Sequence, residues 1–166
     1  MTCCKCQLIN MSDFVSRVAL PESIDGKKVN IAIQETRFII EKYICDDLYN
    51  ELCDQIDADD LSPLNEELLC MIKDIWVRYA YGELYSLNVM TLSKENVVRK
   101  FSEASEPVSF SEAEKMANYW RMKAENYIST MVKFLKDNEA ENVLYQGCNN
   151  CDNDDKRSGT SFWGIA

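Results

Sequence analysis

The chain has 166 residues, 46% of them hydrophobic, which suits one ordinary domain with a sizeable core. Its 28 acidic residues outnumber 18 basic ones for a formal charge of -10, which argues against a protein whose main task is gripping nucleic acid phosphates. Histidine is absent, which excludes Ser-His-Asp and Cys-His nucleophilic sites, histidine metal ligands and the Glu-x-x-His motifs of di-iron bundles.

Residues 1–28 read as an extended N-terminal segment. Their start, "MTCCKCQLINMSDFVSRVAL", lacks the charged and apolar regions of a signal peptide, and no stretch approaches the roughly 18 apolar residues of a membrane span. An intracellular, soluble product is expected. From Val29, the positions Val29, Ile33, Ile40 and Ile44 recur at helical spacing and open a helical domain expected to run over 29–138. "CDDLYNELCDQI" restarts a shorter helix that Asp46 or Asp47 can cap, with Leu48, Leu52 and Ile56 aligned. Ser62-Pro63 is a helix start, and Leu64, Leu68, Ile72, Ile75 and Tyr79 follow on one face. Trp76, Ala80, Leu84 and Leu87 widen the stripe, so this third helix should be buried on more than one side. Gly82 within it costs up to about 1 kcal/mol against Ala, which a close helix crossing could offset. The fourth helix begins at "SFSEAE", where Ser109 with Glu112 and Ser111 with Glu114 are alternative capping boxes. Behind them Ala113, Met116, Ala117, Trp120, Ala124, Tyr127, Met131, Phe134 and Leu135 form one core stripe.

Between the third and fourth helices, "NVMTLSKENVVRKFSEASEPVSFSEAE" is too long for an ordinary connection. "VMTL" and "NVVRKF" are β-prone runs, so residues 88–110 are expected to form a projecting arm or β-hairpin. Two strands alone are marginal in water, so the arm needs another surface, on its own helices or on a second subunit. The predicted class is mostly α: a small antiparallel helical bundle with this arm and extended termini.

The ends carry other signals. Cys3-x-x-Cys6 and Cys148-x-x-Cys151 could hold one structural zinc through four thiolates if the termini meet, although the spacing is far from that of zinc ribbons. Free thiols are the preferred reading, and disulfides are disfavoured for a product of a reducing cytosol. "DADDLS" and "DNDDKR" lack the glycine of an EF-hand loop, and the five glycines stand singly, so no calcium loop or phosphate loop is expected. Residues 139–166 read as an extended tail ending in Phe162, Trp163 and Ile165, three large apolar residues that suit an anchor in another subunit. No cofactor and no enzymatic activity are expected.

The order of elements, with "ICDDLYNEL" and "LSKENVVRKFSEASEPVS", resembles the head-tail connector (adaptor) proteins of tailed phages, especially crAss-like phages, over about Val29 to Asn138. Relatives commonly carry glycine at the place of Cys45 and near Glu95-Asn96. The resemblance implies a structural virion protein at the head-tail interface, assembled in the host bacterial cytoplasm. It implies a homo-oligomeric ring of about twelve copies that docks on the portal protein, supports tail or further ring proteins, and lets genomic DNA pass without sequence-specific binding. In that frame Val97, Val98 and Phe101 supply apolar contact, and Arg99 and Lys100 pair with acidic surfaces. The alternative is a small helical binding or regulatory module stabilised by the Cys4 zinc site.

Overall fold

A helix as apolar as the one beginning at Pro63 can be stable in water only if neighbours cover it on several sides. The computed structural model, which describes residues 6–20, 24–92, 97–99 and 109–148, is arranged around that need. In chain order its elements are α1 (Met11–Arg17), α2 (Gly26–Glu41), α3 (Asp46–Asp57), α4 (Pro63–Val89), β1 (Met90–Leu92), β2 (Val97–Arg99), α5 (Phe110–Asp137) and α6 (Val143–Cys148). Helix α4 packs against α5, α2 and α1. Its Leu68, Ile72, Ile75, Trp76, Val77, Ala80 and Leu84 are all buried in one cluster shared with every other helix. The fold is the mostly α bundle that the helical spacing predicted.

Local chemistry sets the ends of these helices. Asp25 caps α2, accepting a hydrogen bond from the Lys27 amide, so the helix begins three residues before Val29. Cys45, not Asp46 or Asp47, occupies the N-cap of α3 and makes no side-chain cap bond; the two aspartates lie in the first turn, where they suit the positive end of the helix dipole. Ser62 Oγ accepts from the Asn65 amide at the start of α4. Of the two capping boxes open to α5, Ser109 with Glu112 is the one formed.

Two buried polar groups are satisfied where α2 meets α4, one across the contact and one within α2. The buried Trp76 indole N–H donates to the Ile33 carbonyl at 3.0 Å, and the buried Thr36 hydroxyl donates back to the Ala32 carbonyl at 2.7 Å. On the other side, α5 approaches α4 at Gly82. A Cβ there would stand 3.0 Å from the Ala117 carbonyl oxygen and 3.5 Å from Trp120 Cβ. The glycine therefore trades helix propensity for a close crossing, as its position in the sequence suggested.

The N-terminal segment departs from expectation. Instead of remaining extended, it forms α1, whose Asn10 and Asp13 make a capping box, and it buries Leu8, Ile9, Phe14 and Val18. Each such side chain contributes roughly 1.5 to 3 kcal/mol on burial, which outweighs the weak propensity of a seven-residue helix. The C-terminal tail likewise begins with structure: α6 packs on α5 and α3, and Tyr145 is fully buried.

A disulfide joins Cys6 to Cys53 across a separation of 47 residues. It overturns the expectation that disulfides are disfavoured, and with it that of a free thiol at Cys6. Cys6 lies beside the core and Cys53 on the buried side of α3, so the bond sits within the packed part of the molecule. The Tyr49 hydroxyl adds a second tie, donating to the Cys6 carbonyl at 2.8 Å.

Replacing Cys53 with Ser, or reducing the wild type, should lower the melting temperature by roughly 5 to 15 °C, the scale of a 2 to 4 kcal/mol cross-link in a domain of this size. Equal melting curves for oxidised and reduced protein would remove the link from the list of stabilising features. Gly82→Val should destabilise by about 1 to 3 kcal/mol in urea titrations, since the added methyls meet a backbone carbonyl and not a flexible side chain. An unchanged denaturation midpoint would mean that α5 yields easily at this crossing.

Candidate functional site

The arm is present as a hairpin. Strands β1 and β2 pair antiparallel with Met90 opposite Arg99, Thr91 opposite Val98 and Leu92 opposite Val97. It emerges directly from the end of α4 and precedes α5, so it joins the two longest helices. Val97, Val98 and Arg99 are the residues of β2, whereas Lys100 and Phe101 lie outside the described residues, as do Phe162, Trp163 and Ile165.

Of the four cysteines considered for zinc, two lie among the described residues. Cys6 is bonded to Cys53 and cannot act as a thiolate while that bond stands. Cys148 ends α6, and Cys3 and Cys151 lie outside the described residues. Among the described residues, no group of three or more Cys, Asp or Glu is placed to hold a metal ion.

Two internal polar clusters escaped sequence reasoning. In the first, Asp13 is 7% exposed yet accepts from the Asn10 amide at 2.9 Å and pairs with Lys73 at 3.0 Å and Arg17 at 3.4 Å. Arg17 and Arg78 both reach Asp74, at 3.3 and 2.9 Å, and the Arg78 guanidinium lies 4.1 Å from the centre of the Tyr127 ring. This network ties α1 and α5 to α4. It also explains why Tyr127, expected in the core stripe, is 40% exposed: it covers a cation at the edge of the helix contact. Met116, expected in the same stripe, is 39% exposed.

The second cluster is built on Asn65, only 1% exposed. Its Oδ1 accepts from the Tyr145 hydroxyl at 2.9 Å and from Asn142 Nδ2 at 3.4 Å, while its Nδ2 donates to Gln55 Oε1 at 3.0 Å. The same Gln55 oxygen accepts from the Ser62 amide at 3.1 Å. These bonds join α3, α4 and α6 at one end of the bundle. A sequence offers little warning of such a cluster beyond Asn65 and Tyr145 themselves, because its bonded partners are up to 80 residues apart.

Burial holds several phenols neutral. Tyr79 is pushed up to about 12 by burial and by the charge of Glu125, and Tyr81 to about 12 by burial and by its hydrogen bond with Tyr85. Tyr81 also donates to the Ala19 carbonyl at 3.0 Å and meets the Trp120 ring edge-on at 4.9 Å, holding the end of the α1 segment against the α4–α5 crossing.

The surface is divided by charge. Helix α3 carries Asp46, Asp47, Glu51, Asp54 and Asp57 with no basic residue, and Asp59 and Asp60 follow it. The outward side of α5 carries Lys115, Lys123 and Lys133 beside Tyr119 and Met122, all exposed. No helix among the described residues is long and apolar enough to cross a membrane.

At the start of α5, the Glu112 carboxylate accepts from the Ser109 amide at 2.8 Å and from its hydroxyl at 2.7 Å, which holds its pKa below the ordinary 4.5. Ionised Glu112 is thus favoured by folding: its contribution is fully present above pH 4.5 and is lost as the pH falls through the depressed value. Ser109→Ala should cost about 1 kcal/mol in stability. It should also return the Glu112 titration, followed by NMR, toward 4.5. A titration unmoved by the substitution would mean that the box does not persist in solution.

A family model described as a family of unknown function, DUF6712, matches residues 40–155, from the end of α2 through the hairpin, α5 and α6. No curated protein and no solved structure matches the chain.

Proposed function

We propose that this chain, which belongs to the DUF6712 family, is a structural virion protein: a head-tail connector (adaptor) subunit that docks on a phage portal as part of a ring. The observation that carries the reading is the antiparallel hairpin between the two longest helices of the bundle. It falls within the same stretch, "NVMTLSKENVVRKF", that resembles the connector arm. A hairpin of three-residue strands has little stability of its own, so a partner surface that lays apolar and acidic groups against it is a physical need as well as an opportunity.

In this reading the bundle is the rigid body and the arm and C-terminal tail are its contacts. Val97, Val98 and Phe101 supply apolar area, Arg99 and Lys100 meet carboxylates of the portal or a neighbour, and Phe162, Trp163 and Ile165 anchor the tail in another subunit. The net charge of -10 suits a lumen through which DNA slides without being held. Ring assembly is driven by the portal, because several weak contacts made at once raise effective concentration where one contact cannot offset the ordering of arm and tail.

The test is co-assembly with the portal protein that this reading requires the same genome to encode. Wild type should co-sediment with portal rings, whereas V97S/V98S/F101S should keep its helical content and its melting temperature within about 2 °C, yet fail to join them. A wild-type protein that ignores the portal would overturn the reading. A triple variant that still docks would remove the arm from it, and one that unfolds would place these residues in the core.

A further inference from the structure

We infer that the outward face of α5 docks on the outward face of α3 in a second copy of this chain. The contact deepens the ring reading, on which its closure into a ring rests, but the contact itself follows from two described surfaces. The first is a stripe at spacings of one or two turns along α5: Lys115, Tyr119, Met122, Asn126 and Lys133, with Lys123 at its margin, all exposed. Tyr119 is 47% and Met122 66% exposed, a costly way to leave large apolar groups on a helix whose other side already fills the core. Lys123 is drawn over this patch, its Nζ lying 4.6 Å from the centre of the Tyr119 ring and 5.1 Å from that of Trp120. Of the carboxylates of α5, Asp137 lies on the stripe's side but in the last turn, beyond Lys133, and the others lie aside. Glu112 is held in the capping box, and the helical repeat places Glu114 and Glu125 roughly a quarter turn round the helix from the stripe.

The second surface is the opposite in charge. Asp47, Asp54 and Asp57 of α3 are exposed, and α3 has no lysine or arginine. Both faces look away from the common core, α5 lying along α4 and α3 meeting α6, so neither can cover the other within one copy. Two copies related by rotation can match them, basic-aromatic on acidic. Because the two faces differ, the contact is heterologous and repeats head to tail, the geometry from which rings are closed. A nucleic acid or an unrelated acidic protein on α5 would leave the α3 face without its complement.

Two charge reversals in the full chain test the inference by sedimentation velocity, without portal. K115E/K123E/K133E changes the formal charge from -10 to -16, and D47K/D54K/D57K changes it from -10 to -4. Circular dichroism should show both folded, since all six positions are exposed. Wild type should self-associate weakly at concentrations up to about 1 mM, at least about tenfold less at roughly 500 mM salt than at roughly 50 mM. Each variant alone should stay monomeric because it sets like charges against like. Their equimolar mixture should associate again in alternation, although both species remain net negative, so that a general attraction cannot account for it. Association by either variant alone, a mixture that stays monomeric, or a wild type monomeric throughout would overturn the inference. Docking on the portal is read in a separate experiment, so failure here and failure of the connector reading are distinguishable.

Discussion

The structure depends on covering α4. Twenty-seven residues long, this helix is apolar on more than one side, and no single neighbour could remove it from water. Helices α2 and α5 take two of its flanks and α1 a third, which fixes the bundle before any finer contact is considered. The quality of that cover differs from flank to flank. Against α2 it is a side-chain seam closed by the Trp76 to Ile33 bond, whereas against α5 the backbones themselves come close at Gly82. A glycine that weakens an isolated helix here permits a close approach of two backbones, an exchange in which dispersion and burial outweigh propensity.

Periodicity made this scaffold legible. The stripes Leu68–Ile72–Ile75–Tyr79 and Ala113–Ala117–Ala124–Met131–Leu135 are buried as their spacing implied, because burial and a 3.6-residue repeat are the same fact seen twice. The hairpin was also readable, from two β-prone runs inside a connection too long for a turn. What remained hidden depends on distant partners. The burial of Ile9 and Phe14, the Cys6–Cys53 link and the Asn65 cluster all join residues separated by dozens of positions, and no local pattern encodes such a meeting. The N-terminal helix had one local sign, Asn10 three residues before Asp13, but seven residues are too few to declare a period.

The two polar clusters show how a small acidic domain orients its parts. Asp13 and Asn65 are buried polar residues, and each is satisfied by several partners at once, so that displacing α1 would part Asp13 from Lys73 and displacing α6 would part Asn65 from Tyr145. Apolar packing alone would let these short helices slide; directional bonds give them one position. The charges outside the clusters are sorted differently, acidic on α3 and basic on the outer side of α5, and this sorting is a property of surfaces that packing does not require. It is therefore informative about partners.

The Cys6–Cys53 link also changes how the chain would respond to mechanical load. Tension applied at the N-terminus reaches Cys6 and passes straight through the sulfurs into α3, bypassing α1, α2 and everything else between them. A contour length on the order of 160 Å is thereby withheld from extension, 47 residues at the reach of an extended chain. The load arrives instead on a helix whose buried side is set into the core and whose end abuts the Asn65 cluster. Pulling from this end would meet the bundle as a block, with no slack to release before the packed core itself must part.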